Sequence, residues 1–232
     1  MRLKLECDVC SEIVTVLYNE DGLYECTCSK GHTKRYQMEI QRFVELFEIA
    51  VFAFEDGYYR EAITSSTAAM ERFFEFCTKV FLGVEKISGE SYEKIWKKIR
   101  NTSERQLGAY YMLYFNVFKG VPPTFPEKQT KLRNEVVHKG KIPSQKETDE
   151  YLRNAYSLIM QTLVLLNMKM ENERKEVTEK DAIDLIEKSS LCKKDSEKIS
   201  GIVINSFINI NSKTKDNYDE RLYVFRIRNK LK

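Results

Sequence analysis

Two periodicities divide the chain. Near the N-terminus, EIVTVLYNEDGLYECTC alternates apolar and polar positions with period two, the pattern of half-buried strands. Glu12 to Tyr18 predicts a strand, Asn19 to Gly22 a tight turn, and Leu23 to Cys28 the returning strand. Two short strands do not hold together alone in water, so something must staple them. From about residue 37 the period becomes helical. Phe43, Leu46, Phe47, Ala50, Val51 and Phe54 share one face up to Asp56-Gly57. Ala62, Ala69, Phe73, Phe76, Val80 and Phe81 mark a second long helix, from Tyr58 to Leu82, that Gly83 stops. Shorter helices are expected at 91–100 and 104–118, with Ser103-x-x-Gln106 in the pattern of a capping box. Gly120 to Pro126 is a loop, a helix at 127–139 is broken by Gly140 and Pro143, and Ser144-x-x-Glu147 opens a last long helix to about 171. Beyond it, Thr178-x-x-Asp181 starts a short amphipathic helix ending near Ser189. Gly201 to Ile210 and Leu222 to Ile227 predict two strands, a hairpin across the polar stretch Asn211 to Asp219. The expected architecture is mainly α, in three zones. Residues 1–36 form a small β subdomain, 37–172 a helical bundle, and 173–232 an α+β appendage.

Composition narrows the class. With 42% hydrophobic and 12% aromatic residues a packed core is affordable, and 9 glycines and 4 prolines among 232 residues favour helices over turn-rich β architectures. Net charge is +3, from 38 basic and 35 acidic residues, so any nucleic-acid site must be a local patch. No apolar run approaches a membrane span and MRLKLECDVC lacks a hydrophobic signal core, so a soluble cytoplasmic protein is expected.

Four of the six cysteines fall within the first 28 residues, while Cys77 and Cys192 stand apart. Such clustering without a signal segment points to metal ligation rather than disulfides. Cys7-x2-Cys10 is one zinc knuckle, and Cys26-x-Cys28-x3-His32 offers three donors for the other half-site. A structural zinc takes four ligands, so five donors compete for four places. Cys7, Cys10, Cys28 and His32 are the preferred set, because Gly31 permits a turn that returns His32 to Cys28, with Cys26 the alternative ligand. The zone resembles a rubredoxin-like zinc ribbon, and bound zinc would offset the missing core of so small a subdomain.

The second chemical feature is Arg133-Asn134-Glu135-Val136-Val137-His138. On a helix, Asn134 and His138 stack one turn apart, and the long Arg133 side chain bends towards the same substrate phosphate. Glu135 lies off that line, where it suits a basic neighbour. Histidine moves protons near neutral pH and arginine grips phosphate with a fixed fork of donors. Lys128, Lys131, Arg133, Lys139, Lys141 and Lys146 crowd this stretch, opposed locally only by Glu135. Lys128, Lys131, Lys139 and Lys141 are therefore candidate RNA-binding residues. The aromatic run Tyr110 to Phe115 suits core packing, with base stacking as its other use.

The segment LRNEVVHKGKIPSQKETDEYLRNAYSLI resembles the HEPN superfamily, whose nucleases carry an RNxxxH motif. The resemblance covers about residues 40–170, with 84–126 as a helical insertion in a four-helix bundle. It implies a metal-independent endoribonuclease with Arg133, Asn134 and His138 as catalytic residues. The substrate's 2′-hydroxyl would attack phosphorus, leaving a 2′,3′-cyclic phosphate and a 5′-hydroxyl. It also implies a homodimer with a composite active site, a toxin or antiviral defence role, and a neutralising or triggering partner protein. A second reading is a non-catalytic HEPN-like module that binds nucleotide or protein, with the ribbon as adaptor. A zinc-ribbon DNA-binding regulator is a third, but no helix carries a recognition-helix pattern.

Overall fold

The computed structural model describes residues 2–19, 22–38, 41–188, 200–202, 208–214 and 217–229. The chain divides into two compact units, residues 1–41 with 178–205, and residues 42–177 with 206–232. Residues 173–232, expected as an appendage of their own, are thus shared between the two.

The first unit is built on hairpins. Strand β1 (Arg2–Glu6) pairs antiparallel with β2 (Ile13–Leu17), and β3 (Leu23–Thr27) with β4 (Thr33–Met38). This corrects the expectation that 12–18 and 23–28 pair with each other. The turns that carry Cys7 and Cys10, and Cys28 and His32, each close a hairpin, with β1, whose RLKLE alternates polar and apolar residues, and β4 as the partner strands. Strand β5 (Ser200–Ile202) joins β4 in parallel, with Ser200 opposite Tyr36. Among the described residues the unit's core includes Leu5, Tyr24, Cys26 and Tyr36, with Val14, Val16 and Tyr18 packed against it.

The second unit is helical: α1 (Arg42–Glu55), α2 (Tyr59–Leu82), α3 (Val84–Ile87), α4 (Glu90–Ile99), α5 (Ser103–Phe118), α6 (Glu127–Lys139) and α7 (Gln145–Lys169). Helix α8 (Glu171–Lys188) follows at once, and the boundary between the units falls within it; α9 (Tyr218–Asn229) belongs to the helical unit. The long α2 packs on α1, α5, α6 and α7. Phe43, Phe47, Ile63, Phe73, Tyr110, Tyr151, Leu152 and Leu163 are all buried. Phe43 meets Phe73 edge-on at 5.1 Å, and the Tyr151 hydroxyl lies 2.9 Å from Thr67 Oγ1. Helix α7 opens on the expected capping box: the Ser144 hydroxyl accepts from the Glu147 amide while the Glu147 carboxylate accepts from the Ser144 amide. The corresponding pattern at Ser103 is not a cap. Thr102 is the N-cap there, without a side-chain cap bond, and Gln106 donates instead to the Arg100 carbonyl at 2.6 Å.

The C-terminal expectations change most. The helix expected from Thr178 begins at Glu171. Of Gly201 to Ile210 only the first two residues lie in a strand; 203–207 fall outside the described residues and 208–210 are not strand. Leu222 to Ile227 lies inside α9. Tyr218, Leu222 and Phe225 recur at helical spacing and are buried, Phe225 against Phe52 at 4.7 Å and Tyr218 against Tyr156 at 5.5 Å. Packing on α1 and α7 overrides the strand preference of these β-branched and aromatic residues. Ion pairs Arg226–Glu55 (2.7 Å) and Arg153–Asp219 (2.5 Å) flank the contact. Among the described residues no helix is long and apolar enough to cross a membrane.

Candidate functional site

Cys7, Cys10, Cys28 and His32 converge, with their ligand atoms all within 4.8 Å of one another, close enough to hold one metal ion. The turns explain the convergence. The Ser11 amide donates to the Cys7 carbonyl at 2.8 Å and Ser11 adopts φ 57°, which folds the first pair of cysteines back on itself. In the second half-site the Gly31 amide donates to the Cys28 carbonyl at 2.9 Å, with Gly31 at φ 82°, a conformation costly for any residue with a Cβ. Tetrahedral coordination at zinc bond lengths puts sulfurs about 3.8 Å apart and sulfur and nitrogen about 3.5 Å apart. Cys10 Sγ lies 3.8 Å from Cys28 Sγ, and His32 Nδ1 lies 3.4 Å from Cys28 Sγ and 3.9 Å from Cys7 Sγ. The donor set and its spacing fit such an ion. The Val9 backbone amide leads the effects that hold the Cys7 thiol below its ordinary range, which favours the ligating thiolate. Cys26 is excluded from the cluster: it sits in the small core and burial pushes its thiol up.

A residue that the sequence did not single out joins the two half-sites. Glu12 accepts the Ser29 amide at 3.0 Å on one carboxylate oxygen and the Ser29 hydroxyl at 2.7 Å on the other. Its own carbonyl accepts the Cys7 amide at 2.8 Å. The Ser29 hydroxyl and amide hold the Glu12 carboxyl below its ordinary value.

In the helical unit, α6 carries the Arg133–His138 motif and ends where Gly140 turns left-handed at φ 72°. Leu132 and Val136 anchor the helix inward. Arg133 is a half-buried hub. One guanidinium nitrogen donates to Asn134 Oδ1 at 2.9 Å; the other lies 3.4 Å from Glu71 Oε1 on α2 and 3.5 Å from Ser103 Oγ on α5. His138 is exposed and makes no hydrogen bond or ion pair with a described residue. Neither Glu71 nor Ser103 is legible from the motif, because each arrives from another helix.

The lysines around the motif are not equivalent. Lys128 is paired with Glu150 at 3.0 Å. Lys141 bridges Glu135 at 3.3 Å and Glu147 at 2.8 Å, so Glu135 does hold a basic neighbour. Lys141 and the Ser144 donors pull the Glu147 carboxyl down to about 2, while Glu147 and Glu135 raise the Lys141 ammonium. Lys131 and Lys139 are exposed and make no ion pair with a described residue. The local window showed one opposing acid, but folding brings Glu71, Glu147 and Glu150 to the same stretch. In the aromatic run, Tyr110 and Tyr114 are core residues, whereas Met112 and Phe115 are exposed.

Comparison with protein-family models, with curated proteins and with solved structures returned no match.

Proposed function

We propose that the helical unit is a HEPN-type bundle and that the chain is an endoribonuclease using Arg133, Asn134 and His138. The observation that carries this reading is the division of labour along α6. The Arg133 guanidinium is fixed by Asn134 and Glu71, whereas the His138 imidazole, one turn beyond Asn134, is exposed and makes no hydrogen bond or ion pair with a described residue. A pre-positioned fork of donors suits a phosphate and the charge that builds on it during reaction. A solvent-facing imidazole suits proton transfer.

In the proposed reaction the 2′-oxygen bonds to phosphorus and the bond to the 5′-oxygen breaks. One proton leaves the 2′-hydroxyl and one reaches the departing 5′-oxygen, which yields a 2′,3′-cyclic phosphate and a 5′-hydroxyl. The two transfers lie on opposite sides of phosphorus, so a single imidazole serves one of them. A homodimer that brings a second His138 to the scissile bond supplies the other. An enzyme of this kind damages its own cell, which fits a toxin or antiviral defence effector under the control of a neutralising or triggering partner. The cluster of three cysteines and His32 would hold a structural zinc, which ties the two half-sites of the small unit together.

The test is cleavage of RNA by the purified protein, with analysis of the product ends. His138→Ala is expected to lower the rate on the order of 100- to 10,000-fold without altering the melting temperature. Equal cleavage by wild type and His138→Ala, or none by wild type, ends this reading.

The contacts of Arg133 with Glu71 and Ser103 favour one alternative, in which Arg133 ties α6 to α2 and α5 in a non-catalytic binding module. In that case Arg133→Ala lowers stability, and His138→Ala leaves partner binding intact.

A further inference from the structure

Resting on the ribonuclease reading, we propose that the corner between α4 and α5 is the RNA-gripping surface of this protein, with Lys97, Lys98, Arg100 and Arg105 following the phosphate backbone towards Arg133. Of the lysines flanking the motif, Lys128 and Lys141 are already paired with Glu150, Glu135 and Glu147, which leaves Lys131 and Lys139 as the exposed cations there without an ion pair to a described residue. At the corner all four cations are exposed, and none forms an ion pair with a described carboxylate.

Helix α4 is polarised: Glu90 and Glu93 occupy its first turn, and Lys97 and Lys98 its last. The helix dipole by itself accounts for that arrangement. Arg100, the residue that caps α4, extends that cationic end, and Arg105 adds a fourth cation from the first turn of α5, where the α5 dipole does not favour one. Four exposed cations thus gather at one corner, which suits an anion-binding surface.

The corner is also rigid. Arg105 donates to the Lys98 carbonyl at 2.9 Å and Gln106 to the Arg100 carbonyl at 2.6 Å, so side chains from α5 satisfy carbonyls that the end of α4 leaves open. Trp96 is buried and stacks on Tyr92 at 6.0 Å, which seats the apolar face of α4 and turns its cationic end outward. Finally, the corner leads to the motif. Ser103, three residues beyond Arg100, begins α5 and places its hydroxyl 3.5 Å from the Arg133 guanidinium. Under the proposal, a strand whose scissile phosphate sits on Arg133 runs past Ser103, with its neighbouring phosphates on this surface.

The test uses the full chain in a His138→Ala background, so that bound RNA stays intact, with a fluorescent single-stranded RNA oligonucleotide titrated across a series of salt concentrations. The combined variant Lys97→Ala, Lys98→Ala, Arg100→Ala is expected to bind at least tenfold more weakly. Its log–log salt dependence should flatten by about 2, at about 0.7 per lost phosphate contact. The charge-preserving Lys97→Arg, Lys98→Arg, Arg100→Lys variant should bind like the parent, which separates charge from folding. If the alanine variant binds with unchanged affinity and salt slope, the assignment of this surface is overturned, while RNA cleavage by wild type leaves the ribonuclease reading standing. If the His138→Ala parent does not bind RNA and wild type does not cut it, both are overturned.

Discussion

Glu12 shows how one carboxylate can hold a site together without touching its centre. Its two oxygens take both donors of Ser29, and its carbonyl takes the Cys7 amide, so one residue fastens both ligand-bearing turns. Glu12→Gln is therefore expected to weaken metal binding about 10- to 100-fold, the usual effect of losing an outer partner of a metal site, as measured by competition with a chelator. Cys26→Ala should keep the full affinity and Cys28→Ala should lose it; the reverse result would reassign the ligands. Spacing alone points to Cys7, Cys10 and His32, because Cys-x2-Cys and the Gly31 turn act locally. Alternation places Cys26 and Cys28 on one side of the strand and could not choose between them. The choice comes from where β3 ends, at Thr27, which leaves Cys28 on the turn and Cys26 in the core. Glu71 and Ser103 were beyond reach for another reason: their contact with Arg133 spans three helices.

Among the elements, helices were legible where periodicity and punctuation agree. Gly83, Gly140 and the Ser144–Glu147 box stand at real helix ends. Helix α9 departs from the expected strand: LYVFRI suits a strand in isolation, and its seat against Phe52 and Tyr156 makes it helical. Helix α7 carries a consequence for acid stability. Glu147 titrates at about 2 in the folded chain against an ordinary 4.5, chiefly because of Lys141 and then Ser144. A carboxyl depressed by folding stabilises the fold above its unfolded value and loses that contribution as pH falls through its folded value. The melting temperature should thus drop between pH 4.5 and 2, and Glu147→Gln should drop less steeply over the same interval. Parallel curves would show that the box adds nothing to acid stability.

For the whole molecule, the two units differ in what sustains them. The helical unit has a deep aromatic core, whereas the other, among the described residues, relies on the small core around Leu5, Tyr24, Cys26 and Tyr36 and on the Cys/His cluster. Removing metal with a chelator should collapse the amide signals of Ile13–Leu17 and Thr33–Arg35 in a nuclear magnetic resonance spectrum. Signals from α1, α2 and α7 should persist. A spectrum unchanged after metal loss would show that the ion does not sustain this unit. The parallel pairing of β4 with β5 has a consequence of its own. During translation the first four strands, with Cys7, Cys10, Cys28 and His32, leave the ribosome early, but Ser200–Ile202 emerges only after α1 to α8 have been made. Through that interval one side of β4 offers unsatisfied backbone groups to any passing extended segment. Nascent chains stalled before residue 200 should be those most prone to clump.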